Sequence, residues 1–167
     1  MVNVYLMNLA TNEGAWLNDL PLSNQEILDF IKEHNISTAL NEEFIIADAE
    51  CEGFELQIEQ YDSIWEINKA LHIFCELDEY QQDIVNAYME ANGNSLQHFY
   101  FALEELDNLI LEPSVKTEED LGYFLTECVF TEKIFESFKY YFNYESYGRD
   151  YILNAGATLT SYGCLFN

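Results

Sequence analysis

Asp48, Glu50, Glu52, Gly53 and Glu59 stand at positions one, three, five, six and twelve of the spacing that wraps Ca²⁺ in an EF-hand loop. Oxygen ligands in that order would suit a hard cation. Three features count against the reading. The long Glu side chains at positions three and five would crowd the ion, Glu55 takes the eighth position where a hydrophobe is expected, and both flanks alternate like strands. His34, His72 and His98 are far apart and make no HExxH spacing. GxSxG, the P-loop and GxGxxG are all missing, so nucleophilic hydrolysis and nucleotide binding have no support. Carboxylates are too numerous for any two to be picked out as an acid and a base. No catalytic residue, metal or cofactor is therefore assigned, and the expectation is a protein that binds rather than catalyses.

The chemistry lies in the charge as a whole. Thirty-one Asp and Glu face six Lys and Arg, for a formal charge of −25 at pH 7, while 49% of residues are hydrophobic and 16% aromatic. Disordered acidic tails lack the apolar residues needed to offset ordering entropy, so this chain builds a core and carries its charge outside it. Charge of one sign repels itself and opposes compaction, which asks for a use. Ten carboxylates and no Lys or Arg lie between Lys32 and Lys69, and nine more carboxylates between Lys69 and Lys116. Direct binding of nucleic acid or anionic lipid needs a positive patch, so both are excluded and a basic protein partner is favoured. A solvated face that merely keeps the chain soluble would mix both signs.

The elements that must carry these charges are legible from periodicity. Residues 2–9 and 14–18 read as strands, Ser23 with Glu26 as a capping box opening a helix near Asn24, and 43–49 and 54–58 as further strands. From Ser63 the period becomes helical. Ser63 with Glu66 caps a helix burying Ile64, Ile67, Leu71 and Phe74, and a second spans 79–91 with Tyr80, Ile84, Ala87 and Tyr88 inward. A third covers Ser95 to Glu105. A strand at 108–112, a helix capped by Thr117 and Asp120, a helix over about 132–147 and a closing hairpin complete the chain. The fold class is α+β, in three parts: a β-rich unit 1–62, a helical unit 63–103 and an α+β unit 104–167. Cys51, Cys75, Cys128 and Cys164 form no CxxC pair, and with no secretion signal they read as reduced, mostly buried thiols of a cytoplasmic protein. No apolar run is long enough for a membrane span. The aromatic run Phe138 to Tyr147 exceeds what one buried face absorbs, leaving a homodimer contact or packing between units as outlets.

Three segments, in order, resemble the ArdA-type antirestriction proteins. NVYLMNLATNEGAWL is similar to that family's opening strand pair with its Gly-x-Trp motif (Trp16), EEFIIADAECEGFELQIEQYDSIWEINKA to its acidic middle and following helix start, and YESYGRDYIL to its YGRDL signature (Tyr147, Gly148, Arg149, Asp150) with Tyr151 in place of Leu. The resemblance implies a small protein of mobile genetic elements that inhibits type I restriction–modification enzymes by occupying the DNA-binding groove of their specificity and methyltransferase subunits. It also implies an elongated, curved chain of three small subdomains that dimerises through its C-terminal part. The family's acidic antirestriction stretch corresponds to about 104–128, with Glu104, Glu105, Asp107, Glu112, Glu118, Glu119 and Asp120, interrupted by Pro113 to Lys116. Glu42, Glu43, Asp48, Glu50, Glu52, Glu55, Glu59, Asp62, Glu76, Asp78, Glu79 and Asp83 complete the expected DNA-mimicking surface. Duplex DNA carries one negative charge per ~1.7 Å, so thirty-one carboxylates match roughly 50 Å of duplex. A compact chain of this length spans only about 40 Å, which favours elongation or a dimer. The alternative is an acidic module for another basic DNA-binding protein of defence or of the nucleoid. Arg149 is expected to fix the last helix against the closing hairpin.

Overall fold

Alternation in the first residues dictates a strand with one buried face: Val2, Val4, Leu6 and Asn8 are buried, while Asn3, Tyr5 and Met7 stand on the other side. This strand, β1 (Val2–Asn8), is the centre of a three-stranded antiparallel sheet of order β2-β1-β3, flanked by β2 (Gly14–Leu20) and β3 (Phe44–Cys51). The computed structural model describes residues 1–37, 43–129 and 139–166. Its described part is mixed α and β, with two small antiparallel sheets. By contact density it divides into two units, one of Met1–Asp78 with Asn94–Phe99, the other of Glu79–Gly93 with Tyr100–Asn167.

In the first unit the Ser23–Glu26 capping box forms as expected, with Glu26 N donating to Ser23 Oγ at 3.2 Å and Ser23 N to Glu26 Oε2 at 2.8 Å. It opens α1 (Asn24–Glu33), which buries Ile27 and Ile31. Helix α2 (Ile64–Glu76) buries Ile64, Ile67, Ala70, Leu71 and Phe74. The Phe54 ring meets Phe74 at 4.5 Å and Phe99 at 5.4 Å. Buried Asn68 of α2 clamps the chain at two points, accepting from Leu22 N and donating to Leu22 O, both at 2.8 Å. Asn68→Ala leaves Leu22 N without this partner, while Leu22 O keeps His72 Nε2 at 3.0 Å, and a polar group left unpaired away from water costs about 1–3 kcal/mol. Urea denaturation should show a loss of about 2 kcal/mol; a loss under ~0.5 kcal/mol would mean that the clamp does nothing.

The second unit holds α3 (Glu79–Asn92), most of α4 (Leu96–Glu105), β4 (Ile110–Glu112), α5 (Glu118–Val129), α6 (Tyr144–Ala155) and the hairpin of β5 (Ala157–Thr160) and β6 (Gly163–Phe166). Its antiparallel sheet has the order β4-β6-β5. Ile84, Ala87, Leu109, Leu111 and Leu165 make one core cluster, and Val115, Leu121, Leu125, Ala157 and Cys164 another.

Several sequence expectations need correction. Residues 54–58 form no strand: Gln57 N donates to Asn94 O at 2.7 Å, and buried Phe54 and Leu56 hold the segment by packing. Ser63 begins α2 without a side-chain cap bond. Tyr80 is 46% exposed, although its hydroxyl donates to Leu111 O at 3.0 Å. The helix expected over 132–147 falls partly on residues outside the described set; 139–143 are turn and coil, and the helix that bears YGRD starts at Tyr144 and continues to Ala155. Asn143 sets that start, its side chain accepting from Ser146 N at 3.0 Å. Of the four free cysteines only Cys164 is buried, its thiol pushed up to about 11 by desolvation, while Cys51, Cys75 and Cys128 are exposed. No described helix is long and apolar enough to cross a membrane.

Candidate functional site

The acids of β3 are placed by its pairing with β1. Glu50 sits opposite Asn3 and Asp48 opposite Tyr5, and cross-strand partners share a face. Both carboxylates therefore stand on the side away from Val2, Val4 and Leu6. Tyr5 also pairs with Trp16, their rings 5.5 Å apart at 65°, so half-buried Trp16 braces this outer face. Glu50 Oε2 accepts from Asn3 Nδ2 at 3.4 Å. Beyond the strand Glu52 is exposed, its carbonyl holding the Met1 ammonium at 2.6 Å. Exposed Glu59 accepts from Gln57 at 2.7 Å, and half-buried Asp62 accepts from Glu59 N at 2.8 Å. Glu43 is exposed, Glu55 half-buried, and Glu42 lies outside the described residues. Asp48 and Glu50 belong to an extended strand, so the segment does not wrap as an EF-hand loop does. Among the described residues no group of three or more His, Cys, Asp or Glu could hold a metal ion.

Acids also cluster at helix ends, and the sign of the helix dipole separates two kinds. Glu79 opens α3, and Glu118, Glu119 and Asp120 fill the first turn of α5, where a partly positive terminus favours them. Local stability is reason enough for these four. Glu76 ends α2 with Asp78 just after it, and Glu104 and Glu105 end α4 with Asp107 following, with no base in either last turn. Carboxylates at a C-terminus oppose the dipole, so helix stability does not explain them. Glu76, Asp78, Glu104, Glu105 and Asp107 are all exposed, and Asp83 and Glu112 are half-buried. Glu105 accepts from Asn108 and Glu112 from Ser114, at 2.9 Å and 2.7 Å.

The YGRD residues work inside the second unit. Tyr147 packs on the second core cluster. Gly148 faces the first turn of α5, and Gly122 of α5 faces Tyr144 of α6; a Cβ at Gly148 would overlap the Glu118 carbonyl oxygen, and one at Gly122 the Tyr144 carbonyl oxygen. Arg149 pairs with Glu118 of α5 and with Glu145 one turn back, both at 2.7 Å. The expected fastening of the last helix is there, but its partner is α5 rather than the closing hairpin. The Arg149 guanidinium lowers the Glu118 carboxyl below its ordinary 4.5, chiefly through their hydrogen bond. The Thr117 hydroxyl does the most to lower Asp120, whose carboxylate also accepts from Lys116 N and Thr117 N. A lowered carboxyl stabilises the fold above its ordinary pKa, and that contribution is lost as pH falls through the lowered value. Arg149→Ala should therefore lower Tm by a few degrees at pH 7, with the gap from wild type closing in acid as Glu118 protonates. A gap that stays constant with pH would show that the ion pair is not its cause. Exposed Asp150 makes no side-chain hydrogen bond or ion pair among the described residues.

Every described carboxylate is at least partly exposed, so the described surface is coated with anions. The fold and surface define an acid-coated α+β protein. The sequence profile of the Antirestriction protein (ArdA) family matches residues 7–166, nearly the whole chain, and the chain belongs to that family. No curated protein matches it. Sequence reasoning missed Asn68 and Gly122. An isolated Gly inside a helical pattern is the signal that could have exposed the second, since such a residue weakens a helix unless close packing needs it.

Proposed function

We propose that this antirestriction protein inhibits type I restriction–modification enzymes as a DNA mimic, its carboxylates occupying the groove of the specificity and methyltransferase subunits where phosphates otherwise lie. The observation that carries the reading is the acids' exposure, above all at the C-termini of α2 and α4, where helix chemistry disfavours them. Inhibition is by occupation, without catalysis and without a cofactor, and the protein works in the cytoplasm as a homodimer. Residues on one face of a strand repeat every ~6.7 Å, about half the linear charge density of a single DNA strand. One row such as Asp48 and Glu50 is therefore too sparse to imitate a backbone, and several rows must act together. Recognition is consequently blind to sequence, because phosphates position a protein whereas base edges specify it. Cleavage assays with a purified type I enzyme and unmodified DNA test this: inhibition should be complete at a small molar excess over enzyme and weaken as salt rises. Full cleavage by the type I enzyme, with inhibition of some other basic DNA-binding protein, would favour the broader acidic-module reading instead.

A further inference from the structure

The second unit carries a pocket of about 500 Å³ that the acidic surface does not explain. Five aromatic residues line it, Tyr123, Tyr140, Tyr141, Phe142 and the largely buried Tyr144, together with Lys139, Asn143, Glu119 and Glu145. Tyr123 and Tyr144 are stacked with centroids 3.7 Å apart and planes 17° from parallel, and Phe142 meets Tyr144 at 5.0 Å. Tyr140 and Tyr141 are 83% and 90% exposed, although tyrosine rings ordinarily bury much of their area. Aromatic faces carry negative charge density, and with carboxylates beside them they attract cations that are poorly hydrated and flat enough to stack. The chain already shows that attraction, since Lys139 Nζ lies 5.2 Å from the centre of the Tyr140 ring.

We infer that this pocket receives the guanidinium of an arginine side chain supplied by the basic partner, stacking on the tyrosine rings with Glu119 as the nearby counter-charge. The inference rests on the proposed reading for the partner's identity but not for the pocket's chemistry. Arginine is favoured over lysine because its planar, weakly hydrated head stacks, whereas an ammonium keeps its water. Lys139 then acts as a resident cation that the arriving arginine displaces. Phosphate imitation alone needs no aromatic rings; this pocket adds a contact that DNA phosphates cannot make.

The test titrates N-acetyl-arginine amide into protein with ¹³C-labelled tyrosine, using N-acetyl-citrulline amide as the uncharged control. Saturable shifts should be confined to Tyr123, Tyr140, Tyr141 and Tyr144. They should weaken about fivefold in Tyr141→Ala and strengthen in Lys139→Gln, with circular dichroism confirming that both variants fold. Equal shifts at Tyr5, Tyr61 and Tyr80, which do not line the pocket, an equal response to the citrulline compound, or weaker binding in Lys139→Gln would each overturn the inference. If Tyr141→Ala inhibits the restriction enzyme as well as wild type does, the pocket is not used on the target and the inference fails while the DNA-mimic reading stands. Arginine binding by a wild type that inhibits no DNA-binding enzyme would sink the DNA-mimic reading and leave the pocket intact.

Discussion

Gly148→Ala should lower the stability of the second unit by about 3 kcal/mol, which for a chain of this size is a fall of roughly 10 °C in Tm. The sign is what makes the result informative. In an ordinary helix, Gly to Ala improves propensity by about 1 kcal/mol, so α6 alone should gain from the change. At the crossing of α5 and α6 the added methyl would overlap the Glu118 carbonyl oxygen and lie 2.8 Å from its carbon and 3.0 Å from Gly122 N. Those atoms are backbone in the first turn of α5 and cannot swing aside. The helices must separate, which strains the Arg149–Glu118 pair and the packing of Tyr147 and Leu121. Gly122→Ala should behave alike, since its methyl would lie against the Tyr144 backbone. Gly53→Ala is the control: its φ of +79° is unfavourable for Ala but nothing lies within 4 Å, so the cost should stay near 1 kcal/mol. A Gly148→Ala variant that melts within ~2 °C of wild type would refute the close helix crossing.

Neutralising Asp48, Glu50, Glu52, Glu55, Glu59 and Asp62 together, as Asn or Gln, should weaken inhibition on the order of 100-fold at low salt, whereas any one change should cost less than about threefold. The contrast follows from sparse rows of exposed charge: a basic groove reads their sum, and each acid is a small part of it. Binding that neutralises six to ten phosphates weakens by ~10³–10⁵ between 50 and 200 mM salt, so the sixfold variant should also show a shallower salt dependence. The same substitutions relieve self-repulsion in a chain of −25 and should leave Tm unchanged or raised. Lost inhibition with a higher Tm separates a binding role from a folding one. One single substitution that abolishes inhibition in a folded protein would contradict a distributed surface.

The sequence made the elements legible where a local rule sufficed. The Ser23–Glu26 and Thr117–Asp120 caps, the alternation of β1 and the Ile64 to Phe74 face formed as their patterns require. Readings failed where tertiary packing decided. Residues 54–58 alternate like a strand, yet Phe54 is used against Phe74 and Phe99 and the backbone of Gln57 bonds to Asn94. The helix around YGRD starts at Tyr144, because Asn143 provides a cap that a pattern of Phe and Tyr cannot reveal; the start expected near 132 lies outside the described residues. Cysteines were expected inside, but Cys51 and Cys128 sit at exposed positions near element ends. For the acidic surface, residue type alone shows that carboxylates stay outside. It does not show which ones already hold a cap or an ion pair, as Asp120 and Glu118 do.

Competition with DNA tests the proposed mimicry most directly. A purified type I enzyme holding a fluorescent duplex that contains its recognition sequence is titrated with the protein at about 50 and 200 mM salt. Mimicry predicts that the duplex is released as inhibition sets in, at a fixed ratio of protein to enzyme, and that DNA concentration shifts the curve competitively. Inhibited enzyme that still holds its duplex would contradict the account.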